Sequence, residues 1–399
     1  MAALVAAQGI SAAGDMVLLT AASIVVFQET ASATAVSFLL GLAAIPTVLL
    51  APLAGSFADR YPRRRILLVA DSSAALVCLV AVLANSGLPR EWVSALAVGA
   101  LAAMGAFYRP AAQALLPSLA SGSHIGRANS GLRLATSLAS IAGPALGAFL
   151  VTHGGLQLVL WVDAASFVLS ALLVVTIRKL PRQGLAARAS ALRDAWAGLS
   201  YATARKPILT VIGAVGSVML VGTLVNAGTL PLVRGPLGLS DSRYGVLLGI
   251  EGAGAMALAV AFLLIGPGRR LIVTGAFALI GVGGTTLLLG SAGNFATAAV
   301  ALALQGASVV ALQVAFASFL QQEAEDAFRG RVMALVGMVA SLAQLAGYAV
   351  AGPLVDWVGV RPAFFGAGVV ILLVAVPVIM LAFSAARASR PVRAGGSPG

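Results

Sequence analysis

The chain has 399 residues, 60% of them apolar and 10% charged, against roughly 45–50% and 25% in soluble domains. Its 25 Lys and Arg and 13 Asp and Glu are too few to cover a water-soluble globule, and a mean hydropathy of +1.01 places the excess apolar surface against lipid. One cysteine, Cys78, and two histidines, His124 and His153, exclude a disulfide framework and leave little for a metal centre, and a net charge of +12 in so apolar a chain points to orientation and anionic head groups in preference to nucleic acid.

A membrane crossing needs about 20 mostly apolar residues. That window predicts twelve helices, at 4–27, 33–55, 66–87, 92–108, 129–151, 156–177, 208–230, 244–265, 271–291, 295–320, 332–354 and 362–383. Strands are excluded because the runs lack two-residue alternation, and irregular backbone cannot face lipid. An even count puts both termini on one side. Of the 25 basic residues, 21 fall on that side, among them Arg60, Arg63, Arg64 and Arg65 after helix 2 and seven between Arg178 and Lys206; only Arg90, Arg234, Arg243 and Arg361 fall opposite. The positive-inside rule therefore makes both termini cytoplasmic, in a multi-pass inner-membrane protein. No basic n-region precedes the first apolar run, so helix 1 is expected to be retained.

The long basic connection divides the chain into a six-helix unit at 1–177, a cytoplasmic linker at 178–207, a second six-helix unit at 208–385 and a disordered tail at 386–399. Residues 186–203 of the linker have the composition of an amphipathic helix on the inner leaflet. Internal similarity supports duplication. At an offset of 204, Arg127 falls on Arg331, Ser137-Leu138-Ala139 on Ser341-Leu342-Ala343, and Ala142-Gly143 on Ala346-Gly347. The expected fold is thus an all-α membrane protein of twelve transmembrane helices in two pseudo-symmetric six-helix bundles around a central cavity, an arrangement used by secondary transporters.

Carboxylates at mid-span cost about 2.5–3.5 kcal/mol to insert, which makes each a functional candidate. Asp15 lies near the middle of helix 1, and Gln8 and Ser11 share its face at spacings of three and four. Glu251 lies about two turns into helix 8, beside Gly252 and Gly254. Asp15 and Glu251 are the candidates for proton coupling, with Gln8, Ser11, Asn226, Gln305 and Gln344 as further cavity residues; Gln313 belongs with the last group. Asp163 reads mainly as a packing residue. Asp71 and Arg133, near the ends of helices 3 and 5, read as parts of an inner gate. No nucleophile–base set for an enzyme and no repeated filter segment for a channel stands out, and no cofactor is expected.

Gly55-Ser56-Phe57-Ala58-Asp59-Arg60-Tyr61-Pro62-Arg63-Arg64-Arg65 resembles the signature loop of the major facilitator superfamily, with Phe57 where Leu is usual and Pro62 where Gly is usual. Gly55, Asp59, Arg60, Arg63 and Arg64 carry the match, and the resemblance implies an inner gate whose arginines meet carboxylates or lipid phosphates. Gly143-Pro144-Ala145-Leu146-Gly147-Ala148 is similar to that superfamily's antiporter motif, with Ala148 for the last Gly. It implies a kinked, close-packed interface between the halves at Gly143, Pro144 and Gly147. Arg109-Pro110-Ala111-Ala112, Asp163-Ala164-Ala165-Ser166-Phe167 and Arg329-Gly330-Arg331-Val332-Met333 look like the macrolide-efflux branch. Relatives there usually carry a basic stretch before helix 1, so a longer start is expected. The resemblance implies a monomeric, proton-coupled exporter of small amphipathic compounds such as drugs, macrolides or siderophores. Its partners would be that small-molecule substrate, protons and a bilayer with anionic head groups. The alternatives are an importer or uniporter of the same fold, or a non-transporting membrane scaffold or sensor.

Overall fold

A computed structural model describes residues 1–119, 124–178, 198–266, 268 and 270–388, which contain helices and turns and no strand. The first half comprises α1 (Ala2–Thr30), α2 (Ala33–Leu49), α3 (Ala51–Arg60), α4 (Arg63–Ala84), α5 (Arg90–Leu119) and α6 (His124–Val175). The second comprises α7 (Lys206–Arg234), α8 (Asp241–Ile265), α9 (Leu271–Ser291), α10 (Phe295–Glu323), α11 (Asp326–Val358) and α12 (Val360–Ala388). Among the described residues ten helices are long and apolar enough to cross a membrane. The shorter α2 is continued by α3 after a break at Leu50, four residues beyond Pro46. The apolar stretch Ser130–Val175 has 46 residues, about 70 Å of helix, enough to cross a hydrocarbon core of about 30 Å twice. It reverses at Gly155, whose φ of 65° and ψ of −175° lie in a region that essentially only glycine occupies. Twelve crossings result. The helices overrun the predicted spans, α5 to Leu119 and α11 from Asp326 to Val358, because an apolar window finds the segment inside hydrocarbon and a helix continues past it into the head groups.

Small residues set the distances between helices, as expected where lipid offers no hydrophobic drive for association. Gly143 sits against Met16 of α1 and Gly147 against the Val17 backbone, while at the repeat-related position Gly347 sits against Leu220 and Thr223 of α7. The halves meet along two related seams, α6 with α8 and α2 with α11. In the first, Gly245 and Gly249 of α8 receive Pro144, Ala148 and Ile141; in the second, Gly352 of α11 receives Ala33, Thr34 and Ser37. Ala148 and Gly352 are 204 residues apart, the offset of the sequence repeat. Among the described residues, the hydrogen bonds joining the halves (Gln28 to Asp241, Ser32, Ala33 and Thr34 to Asp356, and Ser37 to the Tyr348 carbonyl) all lie toward the end of the bundle far from the termini.

The linker's last turn, 198–203, packs against the start of α11. Tyr201 is buried, stacks on Phe328 of α11 with centroids 4.3 Å apart, and carries the Arg205 guanidinium 3.8 Å above its ring. Its hydroxyl accepts the Glu325 N–H at 3.0 Å, and Arg205 pairs with the Glu325 carboxylate. The rest of the expected surface helix, 186–197, and the tail from 389 lie outside the described residues.

Candidate functional site

Two apolar clusters meet in the first half, one toward the termini with Leu4, Ala7, Leu67, Ala70, Tyr108 and Val174, the other with Val17, Ala74, Leu101 and Phe167 and continuous with the second half. A polar layer lies between them and lines a cavity of about 330 Å³. The predicted stripe on α1, Gln8, Ser11 and Asp15, lines it together with Asp71 of α4, Tyr108, Arg109 and Gln113 of α5, and Thr136 and Ser140 of α6. Met16, Met104 and Phe167 supply apolar wall, so the lining is mixed in the manner of small-molecule sites. The Gln8 Oε1 atom is buried without a hydrogen-bond partner, an arrangement that native interiors rarely leave unexplained.

Asp71 is thus placed in the cavity wall with Asp15 and not in a gate cluster with Arg133, which is exposed on α6. Only 1% of Asp71 is exposed, and its Oδ2 accepts from Ser170 Oγ at 2.7 Å, with the Tyr108 hydroxyl 3.5 Å from the same Oγ. Asp163 lies deeper. It is fully buried, and its carboxylate accepts from Ser166 Oγ at 3.3 Å and Cys78 Sγ at 3.6 Å, in space left open by Gly14 of α1. Asp15 is within electrostatic reach of Asp71, Asp163 and Arg109. Among the described residues none of these three carboxylates has a cation within 4 Å.

The second half gathers a smaller polar group. Asn226 Nδ2 donates to the Tyr348 hydroxyl at 3.4 Å, Gln344 lies beside the same hydroxyl, and Tyr244 lies within electrostatic reach of both Glu251 and Tyr348. Gly306 brings α10 against the Glu251 carbonyl, and Gly254 receives the Ala303 carbonyl, so the glycines around Glu251 fasten α8 to α10. Gln305 is not brought into either group. It is 5% exposed and bonds Thr285 between α9 and α10, and Gln313 is exposed elsewhere on α10.

The arginines of the signature loop act locally. Arg63 donates to the Ala114 carbonyl at 2.7 Å and to Ser118 Oγ at 3.3 Å, and Arg64 to the Val174 and Val175 carbonyls at 3.2 and 2.7 Å. They bond carbonyls near the C-terminal ends of α5 and α6, where the helix dipole favours a cation, and among the described residues meet no carboxylate there. Arg60 is exposed and Gly55 half-buried on α3, while the side chains of Asp59, His124 and Arg127 lie outside the described set. In the antiporter-like segment the glycines face α1 within their own half, and Pro144 and Ala148 face α8. Tyr108, Gln113, Ser170 and Tyr348 were not singled out from sequence, and Phe167 only as part of a family-like motif. No spacing links α4, α5 and α6, and only the polar character of Tyr108 and Gln113 in an apolar run hinted at a role.

The sequence profile of the Major Facilitator Superfamily matches residues 4–327 and 267–398. The chain belongs to the major facilitator superfamily. Among its superfamily relatives, the multidrug efflux pump Tap of Mycobacterium tuberculosis is 28% identical over 391 residues, covering 94% of this chain and 90% of Tap. Macrolide efflux protein A of Streptococcus pyogenes is 24% identical over 385 residues, 93% of each chain. The crystal structure of a bacterial homologue of the iron transporter ferroportin superposes with a TM-score of 0.71 at 18% identity, covering 96% of this chain and 98% of that one. The protein is therefore a multi-pass membrane transporter of the major facilitator fold, resembling drug-efflux members of the superfamily.

Proposed function

We propose that the protein is a proton-coupled exporter of small amphipathic compounds, with both termini in the cytoplasm and Asp15 and Asp71 as the groups that exchange protons with the cavity. The observation that carries this reading is the cavity itself: two carboxylates without a salt-bridge partner among the described residues share one wall with the buried, unpartnered Gln8 carbonyl, Arg109 and an apolar face. A carboxyl that alternates between burial and water can carry a proton in one state and a substrate contact in the other. One proton moving inward across 100 mV supplies about 2.3 kcal/mol, enough for a gradient of roughly fifty-fold in a neutral solute. Likeness to Tap and macrolide efflux protein A supports the outward direction, and the excess of Lys and Arg on the terminal side supports the orientation. Glu251, with Asn226, Gln344, Tyr244 and Tyr348, forms the facing group on the second half.

The test is proton flux in acid-loaded everted vesicles challenged with lipophilic cations, macrolides and siderophores, for the parent protein, Asp15→Asn and Glu251→Gln. Substrate-driven collapse of the pH gradient in the parent and its loss in Asp15→Asn is the expected result. Labelled compound crossing with no proton movement would overturn the coupling.

A further inference from the structure

We propose that Asp356 is the latch that holds the far ends of the two halves together and sets how readily the transporter opens on that side. Ser32 Oγ donates to Asp356 Oδ2 at 2.7 Å, the Ala33 N–H to Oδ1 at 2.8 Å, the Thr34 N–H to Oδ2 at 2.9 Å, and Thr34 Oγ1 to Oδ2 at 2.7 Å. These donors are the N-cap and first turn of α2, where backbone N–H groups have no partner inside the helix and the dipole attracts an anion. The carboxylate that serves them belongs to α11, in the other half. A helix of one bundle is capped by a side chain of its neighbour.

The register of α2 on α11 is fixed below the latch. Tyr348, Gly352 and Asp356 recur every four residues along one stripe of α11; the Tyr348 carbonyl accepts from Ser37 Oγ at 2.7 Å, and Gly352 admits the backbone of Ala33 and Thr34. The other seam, Gly245 and Gly249 of α8 against Ile141, Pro144 and Ala148 of α6, is a contact of small and apolar groups. A second carboxylate at the far end, Asp241, provides the contrast. It accepts from Gln28 of the first half at 2.9 Å but also from Arg234 of its own half, Nε at 2.6 Å. When the far ends part, Asp241 keeps its guanidinium. Among the described residues Asp356 has no partner in its own half, so parting removes all four of its hydrogen bonds together. Most of the described hydrogen bonds between the far ends are therefore gathered on Asp356, and it is there that substitution should bias the two states most.

The full chain in proteoliposomes, labelled with spin probes at Gly87→Cys and Gly293→Cys, tests this by the distance between the far ends of the halves. A Cβ at either position meets open space, and the native Cys78 is fully buried. The parent is expected to show mainly the short distance. Asp356→Ala is expected to raise the ratio of separated to closed molecules about tenfold, the effect of losing a helix cap. Asp356→Asn, which keeps one acceptor oxygen, should shift it less, as should the pair Ser32→Ala with Thr34→Val, which keeps the two backbone bonds. Gln28→Ala should leave it within about twofold. An unchanged distribution in Asp356→Ala, a parent already separated, or a Gln28→Ala shift as large as that of Asp356→Ala would each overturn the proposal. Should Asp356→Ala fail to yield a monodisperse protein, the Ser32 and Thr34 pair decides, and no shift there overturns it. The measurement requires no substrate and does not depend on coupling or direction of transport.

Discussion

Asp71 and Asp163 are both buried carboxylates with hydroxyl partners, and their surroundings assign them different work. Asp71 lines the cavity and is held there by Ser170, whose hydroxyl lies beside that of Tyr108; Asp163 is sealed behind α1 by Ser166, Cys78 and the close approach of Gly14. Asp71→Asn preserves the bond from Ser170 and removes the titrating group, so substrate-driven proton flux in everted vesicles should fall by about tenfold or more while the protein stays folded. Asp163→Asn keeps the shape of its site and should retain flux within about threefold. Gly14→Val drives a side chain into the Asp163 carboxylate and Ser166. It should destabilise the first half by about 1–3 kcal/mol, seen as a lower midpoint in a thermal scan in detergent.

Among the elements, the glycine-lined contact of α8 with α10 is the tightest inside the second half. Cβ atoms at Gly254 and Gly306 would each collide with a backbone carbonyl of the other helix, Ala303 and Glu251, and backbone cannot yield as a side-chain tip does. Gly254→Val should therefore lower stability by about 1–3 kcal/mol and displace Glu251, with thermal unfolding and substrate-driven flux as the two readouts. The signature-loop arginines show how a motif readable in sequence acquires its partners only from the fold. Their position after helix 2 was legible. That Arg63 and Arg64 end on carbonyls of α5 and α6 depends on where those two helices stop, α5 well past the apolar segment that predicts it and α6 just inside its own.

For the whole molecule, the linker is fastened to one half before the second bundle begins. Tyr201 is held between Phe328 and Arg205 at the start of α11, so the described end of the linker moves with the second half. Tyr201→Ala leaves Glu325 N–H without its acceptor and empties the stack. It should make the segment between Gly198 and Arg205 cleavable by protease at least several-fold faster, measured by limited proteolysis of the protein in liposomes, with little change in substrate binding. Phe at the same position keeps the ring and should protect nearly as well as Tyr.

Composition and the spacing of apolar runs determined the class of the protein, the twelve crossings and the two-fold repeat, because hydrocarbon thickness and the need to satisfy backbone hydrogen bonds leave a chain this apolar few alternatives. The stripe of Gln8, Ser11 and Asp15 was likewise legible, since helical periodicity places them on one face. Only the tertiary structure decided that Asp71 joins them while Gln305 turns away to Thr285, that the motif glycines serve α1 while Pro144 and Ala148 meet α8, and that Asp356 caps a helix in the opposite half. Each of those contacts unites residues on separate helices, and their rotation and depth are set by the packing of glycines and alanines around them, which no periodicity along a single segment encodes.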